Sequence, residues 1–140
     1  MRNELYIDSN IFLYSIIMDP RYGKPCAKII EDIYAKRVKA LISSIVLLEV
    51  ANALRKYRVP NLSERVKGIL SLPLRVAEVS IDDALRAIEL SERLKLSPYD
   101  ALHVAVMDRE GVNRIVTADK DFDKVGWITR ADPEQLQAQL

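Results

Sequence analysis

Short apolar runs alternate along the chain with longer segments in which apolar residues recur every three to four positions. Glu4 to Asp8 is expected as a short buried strand, with Leu5, Tyr6 and Ile7 apolar in succession, and Asn10 is placed to cap a following helix. Pro25 opens a second helix through about Arg37, with Ile29, Ile30 and Ile33 at core spacing, and Lys39 to Ser43 returns as a strand. Ser43 or Ser44 caps a helix from Ile45 to about Tyr57, which Pro60 prevents from running much further. A shorter helix is expected over Ser63 to Ser71. Leu74 to Val79, bounded by Pro73 and Ser80 and rich in Val and Leu, reads as a third strand. Ser80 caps a helix to about Leu94, and Ser97 and Pro98 stand at the N-cap and N1 positions of another that Gly111 ends. Arg114 to Thr117 forms a fourth strand, a short fifth lies near Trp127 and Ile128, and Pro133 starts a terminal helix.

Strands that alternate with helices imply an α/β protein: a parallel sheet between helical layers, with its ligand site beyond the carboxyl ends of the strands. The 140 residues fit one domain spanning 1–140, and 49% hydrophobic with 29% charged residues excludes disordered and collagen-like classes. The apolar run Ile11 to Met18 is too short to span a bilayer and follows charged residues at Arg2, Glu4 and Asp8, a poor match to a signal peptide. A cytoplasmic location is therefore expected. The single cysteine, Cys26, excludes an internal disulfide framework and a CxxC zinc ribbon, and reads as a packing residue.

The candidate chemistry lies in carboxylates. Asp8 and Asp119 each follow an apolar strand, so topology delivers both to the same edge of the sheet, although an Asp after a strand is also a common turn or cap residue. Glu49 has Ile45, Val46 and Ala53 as helical neighbours, which puts it on an apolar face. An acid there needs either an ion pair to a nearby Lys or Arg or a metal ion, and Asn52 adds a polar neighbour. Asp100 closes Ser97-Pro98-Tyr99-Asp100, an S-x-x-[DE] capping box that would account for it alone; it also sits in a helical first turn at the sheet edge. His103, one turn later on nearly the same face, reads as a packed helix histidine rather than a ligand. Four carboxylates from separate elements suit a hard cation with oxygen ligands, and two such ions can activate water and neutralise charge during phosphodiester hydrolysis.

A net charge of +1 is low for a nucleic-acid binder, but setting aside the four candidate ligands leaves 16 acids against 21 basic residues, an excess of about five. Basic residues cluster at Arg55, Lys56 and Arg58, at Lys36, Arg37 and Lys39, and at Lys120 and Lys124, where solvated helix ends and loops explain them equally well.

Four segments in order carry a resemblance: Tyr6-Ile7-Asp8-Ser9-Asn10-Ile11; Ser43-Ser44 leading to Glu49-Val50-Ala51-Asn52-Ala53-Leu54; Ser97 to Ala105; and Val116-Thr117-Ala118-Asp119-Lys120-Asp121-Phe122. With them the chain resembles the PIN-domain family, and within it the VapC-type toxins of toxin–antitoxin pairs, over essentially its whole length. The resemblance implies a three-layer α/β/α fold around a mostly parallel sheet of four to five strands. It also implies endoribonuclease activity dependent on Mg²⁺ or Mn²⁺, frequent homodimers and a cognate VapB-type antitoxin. On this chain it makes Asp8 and Asp100 the principal metal ligands, Glu49 a supporting ligand or water activator, and Asp119 the fourth acid. Asn10 and Thr117 resemble polar supports for those carboxylates, while Asp121 and Asp123 either reach the site through water or only turn the chain. The segment Leu62 to Leu74 is either a partner-contacting arm or a core helix.

Other readings are a PIN nuclease in RNA processing without an antitoxin, and a PIN-like binding module without catalysis. A haloacid-dehalogenase-like phosphatase would need a second Asp where Asp8-Ser9-Asn10 has Asn, and a receiver domain would also use strand-end acids. No G-x-G-x-x-G or P-loop marks a nucleotide-binding enzyme.

Overall fold

The computed structural model describes residues 3–139, with side chains through Leu136, so Arg2 lies outside the described residues. Five parallel strands, β1 (Leu5–Ile7), β2 (Ala40–Ser43), β3 (Leu74–Ala77), β4 (Arg114–Val116) and β5 (Thr129–Ala131), form one sheet in the order β3-β2-β1-β4-β5. Every residue of β1 and β2 is buried. A strand covered on both faces has no solvent side to place polar residues on, which is why Leu5-Tyr6-Ile7 and Ala40-Leu41-Ile42 read as continuous rather than alternating apolar runs.

Among the described residues, seven helices cover the sheet: α1 (Ser9–Ile17), α2 (Gly23–Tyr34), α3 (Ser44–Lys56), α4 (Leu62–Leu70), α5 (Ile81–Leu94), α6 (Pro98–Glu110) and α7 (Pro133–Gln139). From β1 the chain moves outward through β2 and β3, then returns past β1 to β4 and β5. Parallel crossovers are right-handed, so this reversal sends successive helices to opposite faces. The packing follows: α1 rests on α2 and α3, α4 on α3 and α7 on α2, whereas the main partner of α5 is α6. The result is a three-layer α/β/α arrangement. The reversal also opens a crevice at the carboxyl ends of β1 and β4, the usual ligand position in sheets of this kind.

The helix that borders this crevice is the most enclosed. In α6, Ala101 and every residue from His103 to Met107 are buried, because the helix is trapped between α5 and the sheet. Ser97 caps its start with Pro98 at the first position, and Gly111, at φ 71°, closes its end. The core below it includes Tyr6, Ile7, Ile42, Leu90, Met107 and Phe122, all fully buried, each large apolar side chain contributing about 1.5–3 kcal/mol.

Several boundaries differ from the sequence expectation. The N-cap of α1 is Asp8, whose carboxylate accepts the Ser9 N–H at 2.7 Å, and Asn10 lies inside the first turn. Helix α2 starts at Gly23, which leaves Pro25 in the first turn, where its missing N–H costs little. A Cβ at Gly23 would stand 2.9 Å from the Met18 carbonyl carbon, so glycine permits the close junction of α1 and α2. That helix stops at Tyr34 rather than Arg37, since Lys36 turns left-handed at φ 63°. Strand β3 ends at Ala77, short of Val79, and β5 begins after Trp127 and Ile128. Among the described residues no helix is long and apolar enough to cross a membrane. Cys26 is buried, and burial pushes its thiol up to about 12, so it is inert at neutral pH.

Candidate active site: an acidic crevice at the carboxyl edge of the sheet

Asp8 leaves β1 directly into the crevice and is 5% exposed. Its Oδ1 accepts the Ser9 N–H, and its Oδ2 accepts from the Thr117 hydroxyl at 2.7 Å and from Asn10 Nδ2 at 3.3 Å. Thr117, fully buried just past β4, is the hub of this arrangement: its Oγ1 also accepts from Asn10 Nδ2 at 2.9 Å and from the Asp119 N–H at 3.0 Å. Three donors fix the orientation of one carboxylate, and the same hydroxyl fixes the backbone from which Asp119 projects. Asn10 completes the link by accepting from the Ala118 N–H at 3.4 Å.

Glu49, on α3, faces the crevice with its side chain 27% exposed. Its partner is neither Lys nor Arg. Glu49 Oε1 lies 2.7 Å from His103 Nε2, and His103 Nδ1 lies 2.6 Å from the Tyr6 hydroxyl, which is 2.8 Å from Ser43 Oγ. His103 is indeed packed, at 1% exposure, but both its ring nitrogens are committed, and one of them holds a candidate site acid. Complete burial acts to lower the His103 pKa; the Glu49 hydrogen bond and the charges of Asp8, Glu49 and Asp100 outweigh it, and the net shift is upward. Burial pushes the Tyr6 hydroxyl far upward, so it stays a neutral link in the chain.

Asp100 projects from the first turn of α6. Its backbone N–H donates to Ser97 Oγ at 3.1 Å, so the cap exists, but among the described residues no side chain donates to its carboxylate. Burial, followed by the charges of Asp119 and Asp8, pushes that carboxyl up to about 6. Asp119 Oδ1 accepts the Asp121 N–H at 2.9 Å, which folds the following 3₁₀ turn (Lys120–Lys124) over the crevice edge. Asp123 points elsewhere, to Arg130 at 2.9 Å, and Asn52 is exposed and accepts from Arg55 at 3.4 Å.

Two groups of ligating atoms result. One atom from each of Asp8, Glu49 and His103 lies within 4.8 Å of the others, and the same holds for Asp100, Asp119 and Asp121. The Thr117 hydroxyl joins the two groups, donating to Asp8 Oδ2 and accepting the Asp119 N–H. This donor set is almost entirely carboxylate oxygen, and among the described residues no Lys or Arg lies within ion-pair distance of it except Lys124, 3.7 Å from Asp121. Such a set fits a hard divalent cation, which both supplies the missing positive charge and accepts oxygen ligands. His103 was legible as the one histidine a turn from Asp100; its pairing with Glu49, 54 residues away, was not.

The fold and crevice define a three-layer α/β/α protein with a carboxylate-lined site suited to cations. Residues 5–128 match the PIN domain family, and the chain belongs to it. It is 23% identical over 130 residues to a VapC ribonuclease of Mycobacterium bovis and, to the same extent, to ribonuclease VapC13 of Mycobacterium tuberculosis, covering 90% of this chain and 98% of each relative. Among solved structures it is similar in fold to VapC20 of Mycobacterium tuberculosis, a sarcin-ricin loop cleaving toxin. That match has a TM-score of 0.75 at 22% identity and covers 89% of this chain and 97% of that one. A toxin–antitoxin complex from Klebsiella pneumoniae gives a TM-score of 0.68 at 23% identity, covering 93% and 98%.

Proposed function

We propose that this chain is a metal-dependent endoribonuclease, acting as the toxin of a toxin–antitoxin pair, with Asp8, Glu49, Asp100 and Asp119 as its working acids. One observation carries the reading: these four carboxylates converge at one sheet edge with no Lys or Arg of the described residues paired to any of them, and burial, followed by the charges of Asp119 and Asp8, raises Asp100 to about 6. The VapC ribonucleases that the chain resembles over nearly its full length support RNA as the substrate.

Asp8, Asp100 and Asp119 would hold Mg²⁺ or Mn²⁺, with Asp121 at the rim. Such an ion would supply positive charge for the phosphate oxygens and would lower the pKa of a water molecule. Thr117, Asn10 and the Ser9 N–H keep Asp8 in one orientation, so it need not reorganise when charge develops. Glu49 would take the proton of the attacking water, a role that its hydrogen bond to His103, which fixes the carboxylate, supports. A VapB-type antitoxin and a second copy of the chain are the proposed protein partners.

Cleavage of a labelled single-stranded RNA pool by the wild type, Asp8→Asn and Asp100→Asn, each with Mn²⁺, Mg²⁺ or EDTA, tests the reading. Wild type should cut only with metal, and either variant should lose about 10²-fold or more. Equal cutting by all three proteins, or cutting in EDTA, would refute it. A small open reading frame beside the gene, whose product suppresses the cleavage, would mark the toxin within the wider class of PIN nucleases.

A further inference from the structure

The flank formed by α5, α6 and the segment before β5 carries the only tryptophan of the chain. Trp127 is 43% exposed, yet its ring is anchored: Nε1–H donates to Asp108 Oδ1 at 2.9 Å, and the second oxygen of that carboxylate accepts from Arg86 at 3.2 Å. Arg86, Arg93, Asp108 and Trp127 line a shallow depression of about 470 Å³. Arg86 is neutralised by Asp108, whereas Arg93 makes no ion pair with any described residue.

Asp108, which holds the indole, follows Asp100 by eight residues of α6, about 12 Å along the helix, so the flank lies down α6 from the crevice toward the amino ends of the strands. Arg93 precedes Asp100 by seven residues and Trp127 follows Asp119 by eight, which bounds the second separation at roughly 29 Å even for extended chain. The 3₁₀ turn between them shortens it further. Lys124 lies on the way, its ammonium donating to the Lys95 carbonyl at 3.2 Å and tying the Trp127 segment to the α5–α6 connection.

A fixed aromatic face beside a planar cation matches an unpaired nucleotide, whose base stacks on the ring while a phosphate meets the guanidinium. The core of a protein–protein contact keeps its aromatic and arginine anchors among apolar side chains and is depleted of other charge, acidic side chains included. Here every other lining side chain is charged. Resting on the nuclease reading above, we propose that Trp127 and Arg93 form an RNA subsite outside the crevice. Trp127 stacks one unpaired base, Arg93 contacts an adjacent phosphate, and Asp108 with Arg86 holds the indole in place.

The lone tryptophan is its own reporter. In EDTA, where no cutting occurs, a mixed-sequence single-stranded oligoribonucleotide should quench wild-type fluorescence saturably, and Arg93→Gln should weaken that binding and reduce the salt slope by about one. With Mn²⁺, Trp127→Ala should raise KM about tenfold, equivalent to ~1.4 kcal/mol and within the range of one base–aromatic stack, with kcat held within about twofold. Trp127→Phe should recover most of the loss, and it carries the test together with Arg93→Gln if the alanine variant unfolds. RNA that binds in a gel shift without quenching, or a KM that Trp127→Ala leaves alone, overturns the subsite while the nuclease reading stands. Quenching without cleavage under any metal condition keeps the subsite and removes the nuclease. Altered self-association in Trp127→Ala with an unmoved KM would make this flank a protein interface and overturn the proposal. Neither binding nor cleavage would overturn both readings.

Discussion

Helices α5 and α6 open with the same four-residue pattern, Ser-x-x-Asp, and put it to opposite uses. At α5, Ser80 Oγ accepts the Asp83 N–H at 3.1 Å while the Asp83 carboxylate accepts the Ser80 N–H at 2.9 Å, closing the capping box. Arg109 then donates to the same carboxylate at 2.9 Å. Burial opposes the charge on Asp83, but the Arg109 and Ser80 hydrogen bonds prevail and hold it below the usual carboxylate range. At α6 only the first of these bonds forms. The Asp100 carboxylate meets Asp119 and Asp8 instead of an arginine and is raised to about 6. A local pattern thus tells that a helix begins, and the group lying across from the acid tells whether the acid belongs to the framework or to a site. Asp32, also buried, repeats the α5 case, with Lys28 and Arg37 at 3.0 and 2.8 Å.

The widest separation between the two acids should appear in cleavage. Asp100→Asn should lose about 10²-fold or more, whereas Asp83→Asn, normalised to its folded fraction in the same RNA assay, should retain wild-type turnover. An inactive but folded Asp83→Asn would break the comparison. Metal should separate them next. Mn²⁺ at about a hundred times its Kd should stabilise the wild type and Asp83→Asn by about 2.7 kcal/mol, and Asp100→Asn by much less, in thermal unfolding with and without EDTA.

Stability in EDTA should then reverse the order. Asp83→Asn loses a buried charge pair and half of a cap, a cost of about 2 kcal/mol once the 39% exposure of the Arg109 side chain is allowed for. Asp100→Asn relieves repulsion and should be neutral or gain up to about 1 kcal/mol after solvent screening. Denaturant titration of both variants decides it; a destabilised Asp100→Asn would return Asp100 to a capping role.

The smallest effect is in pH. The Asp100 pKa is higher in the folded than in the unfolded chain, so its proton stabilises the metal-free fold fully below about 3.9, and that stabilisation is lost as pH rises through about 6. His103, also raised, adds in the same direction. Asp83 and Asp32 act oppositely: their contribution is present above the unfolded carboxylate value and lost as pH falls through their depressed folded values. Tm measured in EDTA should therefore climb from pH 7 toward pH 5 and fall at lower pH, with Asp100→Asn flattening the climb and Asp83→Asn softening the fall.

Much of the frame was legible from the sequence, because its signals are short-range. Unbroken apolar triplets announced buried parallel strands, Ser97-Pro98 and Gly111 bracketed α6, and the alternation of strands with helices brought the residues after β1 and β4 to one edge. Some of the misplaced residues lie where contacts remote in sequence intervene. Asn10 has the composition of a cap, yet Asp8 takes that position, and Asn10 instead binds Thr117, 107 residues away. The fifth strand expected near Trp127 and Ile128 starts just after them at Thr129, and the Trp127 indole is held by Asp108.

The chain alone thus determined the order of its elements and which acids stand at strand ends and helix starts, since periodicity, capping and the handedness of crossovers act over a few residues. Only the tertiary structure decided what each acid faces: Arg109 for Asp83, His103 for Glu49, Thr117 for Asp8, and other acids for Asp100. Charge and hydrogen bonding act through space over a few ångströms, and no local pattern encodes which residues, 19 to 109 positions apart in these pairs, the fold will place that close.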